Sequence, residues 1–331
     1  MKAAFIESTG PPEVVHYGDL PEPKPGPQEL SIRVGAVAVN PIDTYIRSGT
    51  VAMRLPKPYI IGCDFAGMVT AVGSEVRRYK PGDRVWGSNQ GLLGRQGTFA
   101  ELIAVEEQWA YPAPAGVPDE ALAAVALVGI TAHLGLFRRG GLNSGETVFA
   151  NGGTGGVGSM VVQMAKAVGA RVITTAGSPE KAKLCENWGA DRAINYKTED
   201  VAVAVRQFTH EHGVDLWFET LRDPDLGRAV SLTAMRGRIV VIAGRQAQPI
   251  LPLGQFYPRD LSLLGFAMFN APPDEHERAA TDINRWLSEK KLHPLIGLKL
   301  PLSEAAKSHR LQEEKTAGKS GTLTGKIVLV P

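Results

Sequence analysis

The run Asn151-Gly152-Gly153-Thr154-Gly155-Gly156-Val157-Gly158 carries the spacing Gly153-x-Gly155-x-x-Gly158. Glycines at these intervals permit a tight turn. They also let backbone N–H groups approach a pyrophosphate at the positive end of a following helix. Alone, the motif is weak; its context gives it weight. "ETVFA" before it reads as a strand, "GVGSMVVQMAKAVGA" after it as a helix ended by Gly169, and "RVITT" as the next strand. Gly153, Thr154, Gly155, Gly156 and Val157 are therefore the expected cofactor contacts.

The same stretch bears on which dinucleotide is bound. An NAD site normally has Asp or Glu about 20 residues past the last glycine, bonded to the ribose 2′-hydroxyl. Here that place is Ser178, in "TTAGSPEKAK", with Lys181 one helical turn on. Serine and lysine suit a 2′-phosphate, which a carboxylate would repel. NADPH is expected, with Ser178 and Lys181 among its contacts.

A second stretch, "IIGCDFAG" at 60–67, sets Cys63 beside Asp64. Both are metal-ligand types, but a catalytic zinc needs three protein ligands besides water. The sequence-close pair His210 and His212 reads as a solvated helix end. Nor does Cys63 read as a nucleophile, because an adjacent carboxylate disfavours the thiolate. It is expected to be small packing filler.

These residues need elements to position them. The first 110 residues read mainly as short strands: "LSIRVGAVAVN", "FAGMVTAVG", "GDRVWGS" and "TFAELIAV". Near Asp119 the texture changes. "PDEALAAVALVGITAHLGLF" is an Ala/Leu-rich helix, and strands then alternate with helices. "SPEKAKLCENWGA" begins with Ser178 as N-cap and Pro179 in the first turn. "RAINY", "VDLWFE", "RIVVIAG" and "LSLLGF" supply further strands, with a helix running to about Ala234 before "RIVVIAG". Apolar strands joined by helical crossovers mean a doubly wound parallel sheet in an α/β fold. The expected plan is a β-rich domain at 1–123, a cofactor domain at 124–265, and a return to the first domain at 266–331.

Several of these segments resemble the zinc-independent quinone oxidoreductase branch of the medium-chain dehydrogenase/reductase superfamily. "NPIDTYIRSG" at 40–49, "GCDFAGMVTAVGSEVRRYKPGDRV", "GITAHLGL", "NGGTGGVG", "INY" and "TGKIVLV" follow the family's order over nearly the whole chain. The resemblance implies a GroES-like β-rich domain plus a Rossmann domain, and usually a homodimer. It implies that zinc-bearing relatives have a cysteine where Asn40 stands, a His-Glu pair at Cys63-Asp64, and another cysteine near Leu127-Val128-Gly129. It places Asn40 and Tyr45 at the reacting centre, with Asp43 between them. Tyr45 is expected to donate to the developing oxyanion, and Asn40 to orient. Asn40 and Thr131 fall near the cofactor, Tyr196 near its adenosine half, and Gly244 on the loop below the nicotinamide. "FETLRDPD" departs from the family's usual loop after the fourth strand. "EEKTAGKSGTLTGK" is longer than usual, so Lys315, Lys319 and Lys326 all stay open as a cofactor-contacting base.

Without zinc, a saturated alcohol is a poor substrate, because nothing polarises its C–O bond. Quinones and α,β-unsaturated carbonyls activate themselves, and the protein need only orient them and bond the developing oxyanion. The expected activity is NADPH-dependent, metal-free hydride transfer to such acceptors. Two alternatives are an enoyl-thioester reductase and an NADPH-binding structural or regulatory protein.

Composition narrows the partners. Of 331 residues, 44% are apolar and 21% charged, with 34 acidic against 36 basic. That balance gives no electrostatic reason to expect nucleic acid or a membrane surface. "MKAAFIESTGPPEVV" lacks a signal peptide's apolar core, and no uninterrupted apolar run reaches the roughly 20 residues that span a bilayer. Two cysteines form no disulfide framework, so a cytoplasmic location is expected. A homodimer is expected through the apolar edge strand at 261–269.

Overall fold

The computed structural model describes residues 1–316 and 324–331. Two compact units divide the chain: residues 1–127, 272–288 and 294–331 form one, and 128–271 with 289–293 the other. Lys319, and the side chain of Lys315, lie outside the described residues.

The first unit opens with β1 (Lys2–Ile6), β2 (His16–Asp19), β3 (Glu29–Ala38), α1 (Pro41–Ser48), β4 (Tyr59–Ile60), β5 (Phe65–Val72), β6 (Arg84–Gly87), β7 (Leu102–Glu106) and β8 (Ala110–Pro112). β2, β1 and β4 make a small sheet, and the larger one is built around β3. Ten residues long, β3 pairs antiparallel with β5 on one edge and with β7 on the other. Its alternating residues bury Leu30, Ile32 and Val34. The stretch at 40–49 holds the helix α1. Pro41 is its first residue, and Gly49 closes it at φ 81°, a left-handed conformation that suits glycine.

Helix α2 (Asp119–His133) leads out of this unit and runs on through a wider turn to Arg139. It is the one described helix long and apolar enough to cross a membrane, with mean hydropathy 1.8 over its most apolar window. That window is 78% buried inside the protein, so its apolar character serves the core.

The second unit alternates strand and helix: β9 (Thr147–Ala150), α3 (Gly156–Ala167), β10 (Arg171–Ala176), α4 (Pro179–Asn187), β11 (Arg192–Asn195), α5 (Val201–Thr209), β12 (Val214–Glu219), α6 (Leu226–Leu232), β13 (Thr233–Val241), α7 (Leu253–Phe256) and β14 (Ser262–Gly265). The sheet order is β11-β10-β9-β12-β13-β14, all parallel. This is the doubly wound order whose direction reverses beside β9. Phe149 and Trp217 stack at 4.0 Å between ring centres, and Val201 and Val205 of α5 join Ile173 and Ile194 in the same core.

Helix α6 ends two residues before the expected Ala234, because β13 already starts at Thr233. The apolar run at 261–269 is strand only over Ser262–Gly265, and Met268–Asn270 form a 3-10 turn. The chain then adds α8 (Pro273–Ser288), β15 (Ile296–Pro301), α9 (Ala305–Thr316) and β16 (Lys326–Val330) to the first unit, apart from residues 289–293. β16 lies between β15 and β3, pairing Val328 with Ala38 and Leu329 with Val37.

Candidate active site

The glycine turn follows β9 and opens α3. Gly155 is the N-cap, extended at φ −71° and ψ 167°, and no side chain caps the helix. The uncapped first turn leaves backbone donors for an anion. A Cβ on Gly158 would stand 2.1 Å from the Gly152 carbonyl oxygen, and one on Gly153 would stand 2.2 Å from Thr174 Oγ1. Both glycines are thus imposed by close packing of the turn on α3 and β10.

A polar chain fixes this turn. The Gly152 amide donates to Thr175 Oγ1 at 2.8 Å, and Thr175 Oγ1 donates to Asn151 Oδ1 at 2.9 Å. Asn151 Nδ2 reaches both carboxylate oxygens of Glu219. Glu219 is buried and also accepts from Trp217 Nε1 at 3.1 Å and from the Leu221 amide at 2.8 Å. The sequence reading missed this acid, although it stands in the unusual "FETLRDPD" segment. Its pairing with Asn151 bridges the ends of β12 and β9, where a doubly wound sheet binds its ligand.

Apart from Asn40, the remaining expected cofactor contacts lie on the same unit. Thr131 is buried, and its Oγ1 has no hydrogen-bond partner. An orphaned buried hydroxyl of this kind suits a polar ligand atom. Tyr196, 55% exposed, follows β11, and a Cβ on Gly177 would come within 2.7 Å of its hydroxyl. Gly244 has φ 92° and packs on Arg222 and Pro224 of the "FETLRDPD" loop. Ser178 caps α4, its Oγ accepting from the Lys181 amide at 3.3 Å. Its hydroxyl also bonds Glu180, which holds that carboxyl below the usual range. Glu180 occupies the first turn of α4, beside Ser178. The turn, the uncapped helix and the orphaned hydroxyl together fit a dinucleotide.

The other candidate residues belong to the first unit. Asn40 is the N-cap of α1, and its amide N–H donates to Asp43 Oδ2 at 2.7 Å. Its side chain is fully buried and committed. Nδ2 donates to Asp64 Oδ2 at 2.7 Å and to the Ala38 carbonyl at 3.3 Å, while Oδ1 accepts from Lys326 Nζ. An amide nitrogen has two hydrogens, and both are in use. The expected role of Asn40 as a group that orients substrate or contacts cofactor directly is therefore corrected: its side chain faces inward. Tyr45 lies on α1, half-buried.

Asp64 draws three chain segments together. Besides Asn40, it accepts from Ser88 Oγ at 2.6 Å and from the Leu127 amide at 3.0 Å, both on Oδ1. Lys326, 7% exposed, also donates to the Val39 carbonyl at 2.8 Å. Burial pushes the Lys326 ammonium down, an effect that Asp64, Asp43 and Cys63 oppose. Burial likewise raises Asp64, against Lys326, Ser88 and Asn40. Asp43 is pushed up to about 7, first by burial, with the Cys63 thiol working the other way. Burial and the two carboxylates raise the Cys63 thiol well above its ordinary range. Cys63 is buried as expected of filler, yet it also lies within this polar cluster.

Comparison with known proteins gives this arrangement a lineage. Residues 26–115 match the alcohol dehydrogenase GroES-like domain family, and 156–285 match the family described as zinc-binding dehydrogenase. The human quinone oxidoreductase is 30% identical over 331 residues, covering 100% of this chain and 98% of that protein. The chain belongs to the quinone oxidoreductase branch of the medium-chain dehydrogenase/reductase superfamily. Among solved structures, an NAD-dependent alcohol dehydrogenase superposes with TM-score 0.88 at 32% identity, covering 100% of both chains. The Escherichia coli quinone oxidoreductase, solved with NADPH, does so with TM-score 0.86 at 25% identity, again covering 100% of both. The protein is an oxidoreductase of this branch, with a GroES-like domain and a Rossmann-type parallel sheet.

Proposed function

We propose that the chain is an NADPH-dependent, metal-free reductase that passes hydride to quinones or α,β-unsaturated carbonyls. The observation that carries this reading is the state of Asp64. Its oxygens are taken by Asn40, Ser88 and Leu127, and a buried lysine ammonium occupies the same cluster. Among the described residues, no group of three or more His, Cys, Asp or Glu side chains is arranged to hold a metal ion. With no Lewis acid, the acceptor must carry its own electron sink.

NADPH, when bound, supplies the hydride. The chain's residues do the rest. The turn at Gly153, Thr154, Gly155, Gly156 and Val157 holds the pyrophosphate, Ser178 and Lys181 hold the 2′-phosphate, and Tyr196 lies against the adenosine half. Thr131 and Gly244 serve the nicotinamide half. Tyr45 donates a hydrogen bond to the oxygen that becomes anionic as hydride arrives. Quinone oxidoreductase relatives and the NADPH-bound E. coli enzyme support the reading.

The test is a panel of quinones, enals and saturated ketones with NADPH or NADH, with and without chelator, read by nicotinamide absorbance. Turnover of quinones or enals that survives chelation is expected. Turnover confined to alcohols and ketones, and lost with chelator, would overturn it.

We also propose a cytoplasmic homodimer paired through β14. That strand is an edge of the six-stranded sheet, with Leu263 exposed on it. A dimer mass by light scattering, lost in Leu263→Pro, is expected; a monomer at all concentrations would refute it.

A further inference from the structure

We infer that Lys326 and Asp64 are positioning residues for Tyr45: through Asn40 they hold the N-terminal end of α1 and so place the helix that carries it. The inference rests on the role proposed for Tyr45. Its geometry is independent of that role.

Asn40 is gripped at both ends of its amide. Lys326 Nζ donates to Oδ1, and Asp64 Oδ2 accepts from Nδ2. Flipping the amide would face two donors toward each other at the lysine and two acceptors at the aspartate, so one orientation is enforced. The backbone of the same residue donates to Asp43, one turn into α1. Lys326 also holds the carbonyl of Val39, just before the cap. At the far end of α1, buried Arg47 pairs with Glu313 and bonds the Gly10 carbonyl. The eight-residue helix is thus clamped at each end, with Tyr45 between the clamps.

Stability alone is a weak reason for such a cluster. Buried ion pairs are often no better than apolar side chains of equal volume. What a cation and a carboxylate add here is direction, because each recognises a different end of one amide. Lys326 comes from the last strand, 286 residues from Asn40, so the clamp closes only when β16 is in place beside β3.

The test uses Lys326→Met, Tyr45→Phe and the double variant in the full-length protein. Three readouts are taken: hydrogen exchange of α1, cofactor affinity by nicotinamide fluorescence, and turnover. Lys326→Met is expected to speed exchange of residues 41–48 and leave that of α3 unchanged. It should lower kcat about tenfold, with cofactor Kd within about twofold of the parent. If the lysine acts by placing Tyr45, the double variant should be no slower than the slower single variant within about twofold. Unchanged α1 exchange, or fully additive losses in kcat, would overturn the inference. If Lys326→Met does not fold, Asn40→Ser, which cuts the link but leaves both charges, carries the same expectations and the same refutation. If the parent turns over no quinone or enal, the functional reading falls, and α1 exchange alone decides the positioning.

Discussion

Glu219 holds Asn151 with both carboxylate oxygens, Nδ2 lying 3.1 Å from Oε1 and 3.0 Å from Oε2. The pair joins the carboxyl ends of β12 and β9, and Thr175 extends it to β10 and the Gly152 amide. Three neighbouring strands are thereby tied to the turn that would receive a pyrophosphate. Glutamine at 219 has one acceptor oxygen where the carboxylate has two, so at least one buried donor loses its partner. Each such loss costs about 1–3 kcal/mol. Glu219→Gln is expected to lower the melting temperature and to weaken NADPH binding roughly fivefold or more. Fluorescence titration and thermal denaturation check both. A lower melting temperature with unchanged affinity would make Glu219 scaffold only.

Tyr45→Phe tests the donor directly. A hydrogen bond to a developing oxyanion is stronger in the transition state than in the ground state. Removing one such donor from an enzyme typically costs about 10²–10³ in turnover. For a single neutral phenol, a fall in kcat for an enal of roughly tenfold or more is expected, with little change in KM. A quinone, the stronger acceptor, should suffer less. A rise in KM alone would make the tyrosine a pocket wall.

The choice between NADPH and NADH turns on two neighbours in α4. Lys181→Ala is expected to weaken NADPH roughly five- to tenfold and to leave NADH nearly unchanged. Glu180→Gln should strengthen NADPH, because it removes a like charge beside Ser178. If Glu180→Gln instead weakens NADH and leaves NADPH alone, the acid bonds a ribose hydroxyl and the site is built for NAD. Dissociation constants for both cofactors decide this.

His309 gives the protein an acid-sensitive point. Its ring is fully buried, neither nitrogen has a hydrogen-bond partner, and it meets Phe99 edge-on at 6.0 Å. Burial, aided by the Arg47 guanidinium, pushes it down to about 3. In the unfolded chain a histidine titrates near 6.5. The folded value is the lower one, so its contribution to stability is present above about pH 6.5 and is lost as pH falls from there toward about 3. Asp43 works with the opposite sign. Raised to about 7, it favours the fold most below its unfolded value, and that contribution is lost as pH rises through about 7. From pH 7 to pH 5 the two groups oppose each other, so the parent's melting temperature should change little, and His309→Phe, which removes the acid-sensitive member, should leave it rising as pH falls over that range. An unchanged slope in the variant would clear His309 of the effect.

What the sequence alone determined is what short spacings carry. The glycine turn, its flanking strand and helix, and the alternation that makes a parallel sheet all lie within windows of a few residues. Backbone sterics and hydrophobic period act at that range. Ser178 as N-cap was legible for the same reason, since a cap is judged against the next turn of helix. Helix α1 was not: eight residues with Pro, Asp and Thr have weak helical propensity, and packing on the rest of the unit forms it. The inward turn of Asn40 was also invisible. Asp64 lies 24 residues from it and Lys326 lies 286 away. Neither the aspartate nor the lysine carries a local mark of its partner. Only the tertiary structure, by laying β16 along β3, brings a cation to one end of that amide and a carboxylate to the other. The same holds for Glu219 and Asn151, which meet because β12 and β9 are neighbours in the sheet. Polar groups removed from water must find partners, and across such separations the chain fold alone chooses which.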